Sequence, residues 1–178
     1  SEVIRVERGV ITARATVAGV RQIEIVRVDE ASHVVVAGSA GLTLLRADDL
    51  GGAHITAVSG GVNALGGVDW FDEPRVYAAG PDSISVYTLR ADTPAVSVAK
   101  ISIADTSLII VNHATRIVHA VAPTRAASGA AALWSIEPNG NAYFSDTELR
   151  NPAVSGAEPL MSDNVTGAVI DGSAELPD

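Results

Sequence analysis

A four-residue segment of this chain occurs twice. Leu45-Arg46-Ala47-Asp48 returns as Leu89-Arg90-Ala91-Asp92, and each copy ends a similar series of short apolar runs. The pair Ala37-Gly38 returns as Ala79-Gly80, and Val121-Ala122 follows after the same interval again. Intervals of about 40–45 residues are typical of β-propellers and other stacked arrays. The spacing therefore constrains the fold more than any local motif does.

The apolar runs between these markers predict strands. They are rich in β-branched and aliphatic residues and are separated by Gly, Asp and Ser, a pattern that indicates short antiparallel strands joined by turns. The pattern predicts three full repeats of four strands within a single domain, residues 1–178. These repeats span residues 18–59, 60–104 and 105–149.

Partial repeats are predicted on either side of the three full ones. Residues 1–17 resemble the third and fourth strands of a repeat, and residues 163–178 resemble a first strand. Residues 150–162, with Pro152, Gly156 and Pro159, are expected to form a connection. Either the two partial repeats meet to complete one shared sheet, or neighbouring sheets are missing from this chain.

The predicted fold class is all-β, with a β-propeller-like arrangement of repeated four-stranded antiparallel sheets. A twisted sheet of this size cannot bury both of its faces alone, whereas stacking lets each sheet cover the next. The alternative is a β-sandwich whose strands happen to be evenly spaced.

Composition excludes several classes of function. Hydrophobic residues make up 47 % of the chain but aromatic residues only 4 %, so the core is expected to be aliphatic. The net charge of −9 argues against nucleic acid as a partner, because phosphate binding needs clustered Lys and Arg. No apolar run approaches the roughly 18 residues that would predict membrane insertion. The absence of cysteine excludes disulfides and thiolate chemistry.

Three segments of the first repeat, Val28-Asp29, 34–38 and 42–48, match Val68-Asp69, 76–80 and 84–92 of the second. The repeat that they define resembles those of secreted haemolysin-type (RTX) proteins of bacteria. The resemblance implies an extracellular or cell-surface binding or structural module. The Gly-Gly-x-Gly-x-Asp nonapeptide that binds calcium in that family does not occur here, so no calcium site is carried over.

One acidic and aromatic cluster is a candidate ligand site. Asp69, Trp70, Asp72 and Glu73 fall at a predicted turn between two strands. Trp70 could stack on a sugar ring while the carboxylates bind its hydroxyls or a cation. The alternative is a polar turn in which Asp69 accepts hydrogen bonds from nearby amides. The corresponding Asp29 has no aromatic neighbours, which favours the turn.

Catalytic, metal and cofactor sites are not predicted. His113 and His119 lie six positions apart but have no third ligand at a suitable spacing. Neither a Gly-x-Ser-x-Gly elbow nor a phosphate-binding glycine loop occurs. Trp134 and Tyr143 flank a Pro-Asn-Gly-Asn turn and are expected to be near neighbours across two strands.

The leading functional hypothesis is a non-catalytic extracellular module that binds through loops or through oligomeric edges. Its partners would be another protein or further copies of this chain, with carbohydrate as a further candidate. Incomplete repeats leave unpaired sheet edges, and such edges favour pairing with another chain. Two alternatives are a structural subunit of a viral or surface assembly and a carbohydrate-active enzyme built on a propeller.

Overall fold

A computed structural model describes residues 1–68, 74–114, 117–123, 131–136, 142–149, 161–162 and 169–170. The regular secondary structure of these residues is entirely β-strand. The strands are β1 (Glu2–Glu7), β2 (Val10–Thr16), β3 (Gln22–Val28), β4 (Ala31–Gly38), β5 (Gly41–Arg46), β6 (His54–Ala57), β7 (Ala64–Val68), β8 (Arg75–Ala79), β9 (Ile84–Arg90), β10 (Thr93–Ile101), β11 (Leu108–Asn112), β12 (Ile117–Pro123), β13 (Ala131–Ile136), β14 (Ala142–Leu149), β15 (Met161–Ser162) and β16 (Val169–Ile170).

Three of the sheets have four strands, and in each of them every strand pairs with its neighbours in sequence. Sheet 2 contains β3 to β6, sheet 3 contains β7 to β10 and sheet 4 contains β11 to β14. Sheet 1 contains only β1 and β2, and sheet 5 only β15 and β16. All pairs are antiparallel. The prediction of an all-β chain with repeated four-stranded antiparallel sheets is confirmed.

The chain divides into two compact units, residues 1–105 and 106–178. The predicted border between the second and third repeats lies one residue earlier, between residues 104 and 105. Sheets 1 to 3 belong to the first unit, and sheets 4 and 5 to the second. Met161–Ser162, which lies in the segment expected to be a connection, forms β15 and pairs with β16. Within the described residues, no helix is long and apolar enough to cross a membrane.

One backbone hydrogen bond recurs in each four-stranded sheet and defines the repeat. The second strands carry Ala37, Ala79 and Val121 at equal intervals. The carbonyl oxygen of each accepts a hydrogen bond from the amide that precedes the first strand of its sheet. The N···O distances are 2.9, 2.7 and 2.9 Å, with Arg21, Asn63 and Ser107 as the donors.

The two copies of the tetrapeptide are separated by more residues than Ala37 and Ala79 are, and the cross-strand register explains the difference. Ala37 pairs with Leu42, and Ala79 pairs with Ile84, so the register makes Tyr87 the equivalent of Leu45. β9 continues two residues beyond the position equivalent to the end of β5, so the second copy begins two residues later in its repeat. Each copy places a buried leucine and an exposed arginine at the end of its third strand. The tetrapeptide therefore marks a strand end.

Sheets 1, 2 and 3 stack in a head-to-tail manner. One face of sheet 2 packs on sheet 1 through Val34, Val36 and Leu45, which contact Val3 and Val17. The face of sheet 3 that packs on sheet 2 consists of the equivalent residues, Val76, Ala78 and Tyr87. The opposite face of sheet 2 meets them with Val35, Ala37, Leu42 and Leu44.

The hairpin between β3 and β4 contains a strained two-residue turn. Val28 pairs with Ala31, and the two turn residues, Asp29 and Glu30, have φ values of 49° and 65°. Positive φ at both central residues is the type I′ geometry, which fits the right-handed twist of the flanking strands. Glutamate adopts this conformation at a cost that glycine avoids.

Replacing Glu30 with glycine is expected to stabilise the chain. The substitution removes the left-handed strain at φ 65°, so the free energy of unfolding should rise by about 1 kcal/mol. Denaturant unfolding measures the change. Asp82→Gly is the matched control, because Asp82 lies in a tight turn without a positive φ. There glycine adds freedom only to the unfolded chain and should be destabilising. Stabilisation of both variants, or of neither, would contradict the prediction.

Candidate functional site

The acidic and aromatic cluster predicted from the sequence lies outside the described residues. Asp69, Trp70, Asp72 and Glu73 all fall in the gap between residues 68 and 74. Their possible contact with a sugar stays a prediction. Asp29, which the sequence pattern aligned with Asp69, is one of the two residues of the type I′ turn.

His119 is buried in the second unit. Its side chain lies on β12, and its Nδ1 is 3.3 Å from the hydroxyl of Ser135 on β13. Burial lowers the pKa of the imidazole, and Nε2 has no hydrogen-bond partner. No group of three or more His, Asp or Glu side chains that could hold a metal occurs in the described part of the chain. Of the two predicted aromatic neighbours, Trp134 pairs with Phe144, and Tyr143 pairs with Ser135.

The buried His119 should make stability dependent on pH. Because its pKa is lower in the folded state, the unfolded chain binds the proton more readily. The contribution of His119 is complete above about pH 6.5 and is lost as the pH falls below that value, with a slope of at most about 1.4 kcal/mol per pH unit. Denaturant unfolding at several pH values should show this slope. His119→Leu should remove it, whereas His54→Leu, on β6, should retain it. An unchanged slope in His119→Leu would contradict the prediction.

A groove runs along β1 on the face of sheet 2 that packs against sheet 1. Its volume is about 570 Å³, and its lining is mainly aliphatic. β1 contributes Ile4, and β3 contributes Ile23 and Ile25, which are 48 %, 44 % and 71 % exposed respectively. Large aliphatic side chains exposed side by side are typical of surfaces that another element covers.

The polarity of β3 is inverted in its first half. The side chains of Gln22 and Glu24 point towards sheet 3, whereas Ile23 and Ile25 point into the groove. The Gln22 amide donates a hydrogen bond to the carbonyl oxygen of Leu65 at 2.8 Å and accepts one from its amide at 2.9 Å. Polar side chains are thus hydrogen-bonded at the contact between two sheets, while two isoleucines are exposed on the other side.

The position of Leu65 shows what covers this face elsewhere in the unit. Leu65 and Gly67 of sheet 3 are equivalent to Ile23 and Ile25, because they occupy the same places in the cross-strand register. Leu65 is fully buried in the core shared with sheet 2. A Cβ atom on Gly67 would lie 2.4 Å from Cγ2 of Val26 in β3. The first strand of the preceding sheet therefore covers these positions in sheet 3.

The outer edge of β1 carries the hydrogen-bonding groups that complete this site. The amide of Val17 donates to the carbonyl oxygen of Ser1 at 3.1 Å, which makes these two residues a hydrogen-bonded pair. Pairing alternates along an antiparallel ladder. The N–H and C=O groups of Glu2 and Ile4 therefore point away from β2. In the part of the chain that the structure describes, no strand pairs with this edge of β1.

The loop 47–53 is fixed beside the groove by ionic contacts. The guanidinium of Arg46 binds both carboxylate oxygens of Asp49, at 2.6 and 3.1 Å. This hydrogen-bonded pairing lowers the pKa of Asp49 to about 2. Arg5 of β1 donates to the carbonyl oxygen of Asp48 and pairs with Glu7. The first copy of the tetrapeptide therefore ties the loop to β1.

The groove was not predicted from the sequence. A signal for it was nevertheless present, since Gln22 and Glu24 alternate with Ile23 and Ile25 and define one apolar side. Alternation alone does not show which side is covered.

The chain was compared with protein-family models, with curated proteins and with solved structures. None of the three comparisons found a match for it.

Proposed function

We propose that this chain is a non-catalytic, extracellular binding or structural module whose sheets stack in a propeller-like manner. It acts by taking up a strand from a protein partner along the outer edge of β1. The observation that carries the proposal is the coincidence of unpaired backbone groups on β1 with the exposed Ile23 and Ile25 beside them.

The chemistry of this edge suits strand addition. An added strand receives backbone hydrogen bonds from the edge and specificity from the alternate side chains of the groove. Each exposed isoleucine that becomes buried contributes about 25 cal/mol per Å² of apolar surface removed from water. The resemblance to secreted bacterial repeats supports the extracellular location.

Hydrogen exchange on the dilute chain tests the proposal. The amides of Glu2 and Ile4 should exchange rapidly because they point outwards, whereas those of Val3 and Arg5 should be protected by β2. The probe is a synthetic peptide of residues 22–38, the hairpin that pairs with the equivalent edge of β5 in sheet 2, with Val26 replaced by glycine. The glycine makes room for Ile25, which stands where sheet 3 has Gly67 against Val26. Its addition should protect Glu2 and Ile4.

Two results would contradict the proposal. One is protection of Glu2 and Ile4 in the dilute chain alone, which would mean that the edge is already filled. The other is the absence of added protection when the peptide is present in excess. The control is the same peptide with Val35 and Ala37, which face the next sheet in sheet 2, both replaced by lysine. It should not protect Glu2 and Ile4.

A further inference from the structure

We infer that the partner strand comes from a second copy of this chain. In this arrangement β16 of one copy pairs antiparallel with the outer edge of β1 in the next, and β15 lies over the exposed Ile23 and Ile25. The inference rests on the proposed function of the β1 edge and names its partner.

The repeated sheets specify the kind of element that fills this edge. In sheets 2, 3 and 4, a hairpin of first and second strands pairs with the edge of the third strand. Its first strand then covers the next sheet, as β3 covers Leu65 and Gly67 of β7. β1 packs on sheet 2 through Val3, with only β2 beside it. An element that fills this edge would therefore be a hairpin of the first-and-second-strand type.

The described residues include one further hairpin of this type. β15 and β16 pair through Met161 with Ile170 and Ser162 with Val169. β15 also contacts β11, the first strand of sheet 4, just as β7 contacts β3. Sheet 5 thus occupies the place of first and second strands next to sheet 4, and β16 is paired, within the described residues, only with β15.

The size of Ile25 restricts which strand can cover it, and β15 is compatible with that restriction. Ile25 stands where sheet 3 has Gly67, so the strand that covers it needs small side chains. β15, the strand that would cover it, has Ser162 as a residue of that size. The two-stranded sheets 1 and 5 together supply the four strands of one repeat.

Each sheet uses the same face to contact the sheet before it, so the same kind of contact can form between two copies of the chain. The same surface, Val34, Val36 and Leu45 or its equivalents, faces the preceding sheet in both described contacts of the first unit. Such a contact joins two different surfaces and is head-to-tail. Each copy would therefore provide one acceptor edge and one donor hairpin, and the assembly would grow by addition of whole copies.

Light scattering on the full chain gives the first test. The mass should rise from the 18.2 kDa of one copy towards its multiples as concentration increases. Ile4→Pro removes an outward donor from β1 and should raise the dissociation constant at least about tenfold. Ile4→Ala keeps the amide and should assemble far better than the proline variant. A mass of one copy at every concentration would overturn the inference.

Cysteine cross-linking identifies the donor without the use of proline. The chain has no cysteine of its own. An Ile4→Cys chain is mixed with a Val169→Cys or an Ile170→Cys chain and oxidised. One of these mixtures should give a mixed covalent dimer, because adjacent residues of a strand face opposite sides. Ile55→Cys, on an edge strand of sheet 2, replaces Ile4→Cys as the control and should not cross-link.

The outcomes separate the inference from the proposed function. A double variant, Ile4→Cys with Val169→Cys or Ile170→Cys, that closes within one chain at high dilution would overturn the second copy as the partner. So would equal cross-linking of the Ile55→Cys control. If the hairpin peptide protects Glu2 and Ile4 but the chain does not assemble, the inference fails and the proposed function stands. If the peptide gives no protection, the proposed function itself fails.

Discussion

Replacing Leu45 with alanine is expected to lower the free energy of unfolding by about 2–5 kcal/mol. Leu45 is 1 % exposed and lies in the core between sheets 1 and 2, with Val3, Val17 and Leu50. Truncation removes buried methyl groups and leaves a cavity that two rigid sheets can fill only in part. The loss should appear in denaturant unfolding and in faster hydrogen exchange of the β4 amides.

The matched control for this variant is Ile55→Ala. Ile55 is 59 % exposed on the edge strand β6, so the same kind of truncation should change stability by less than about 0.5 kcal/mol. Equal losses for Leu45→Ala and Ile55→Ala would show that sheet 1 does not pack on sheet 2 in the way described.

Gly67→Ala is expected to destabilise the chain by about 1–3 kcal/mol, because the new methyl group overpacks the contact between two sheets. The added Cβ would lie 2.4 Å from Cγ2 of Val26 and 3.5 Å from Cβ of Glu24. In an uncrowded strand, the same change would be stabilising by about 0.5–1 kcal/mol. The sign of the change in the free energy of unfolding therefore reports how closely β7 approaches β3.

A double-mutant cycle with Val26→Ala tests the cause. Val26→Ala removes the methyl group that the new Cβ would meet, at the cost of a small cavity. The combined variant should therefore lose less stability than the sum of the two single variants. Additive losses would mean that Gly67 and Val26 are not in contact, and would contradict the stacking of sheet 3 on sheet 2.

Head-to-tail stacking also explains why neither face of sheet 2 is polar throughout. Val34 and Val36 face sheet 1, and Val35 and Ala37 face sheet 3, so β4 is apolar at successive positions. A strand with only one covered face would alternate apolar and polar residues. Few polar side chains therefore lie at the contact with sheet 3. Gln22 is one of them, and its side chain forms hydrogen bonds with both the amide and the carbonyl oxygen of Leu65.

Much of the fold could be read from local patterns. The three sets of four strands were predictable because β-branched runs and turn residues act over a few positions and recur at a fixed interval. The turn at Asp29 was identifiable for the same reason. The boundaries of β10 and β14 were less predictable, since pairing with a neighbouring strand extends a strand beyond its apolar run.

The candidate site depended on information that the local patterns do not contain. The sequence by itself determined the strands, their order within each sheet and the aliphatic character of the core. Tertiary structure alone decided which side of β3 is covered, because Ile23 and Leu65 are equivalent in pattern and differ only in what lies over them. Burial depends on the sheet packed against a residue, and that sheet is distant in the chain. The groove beside β1 is therefore a property of stacking.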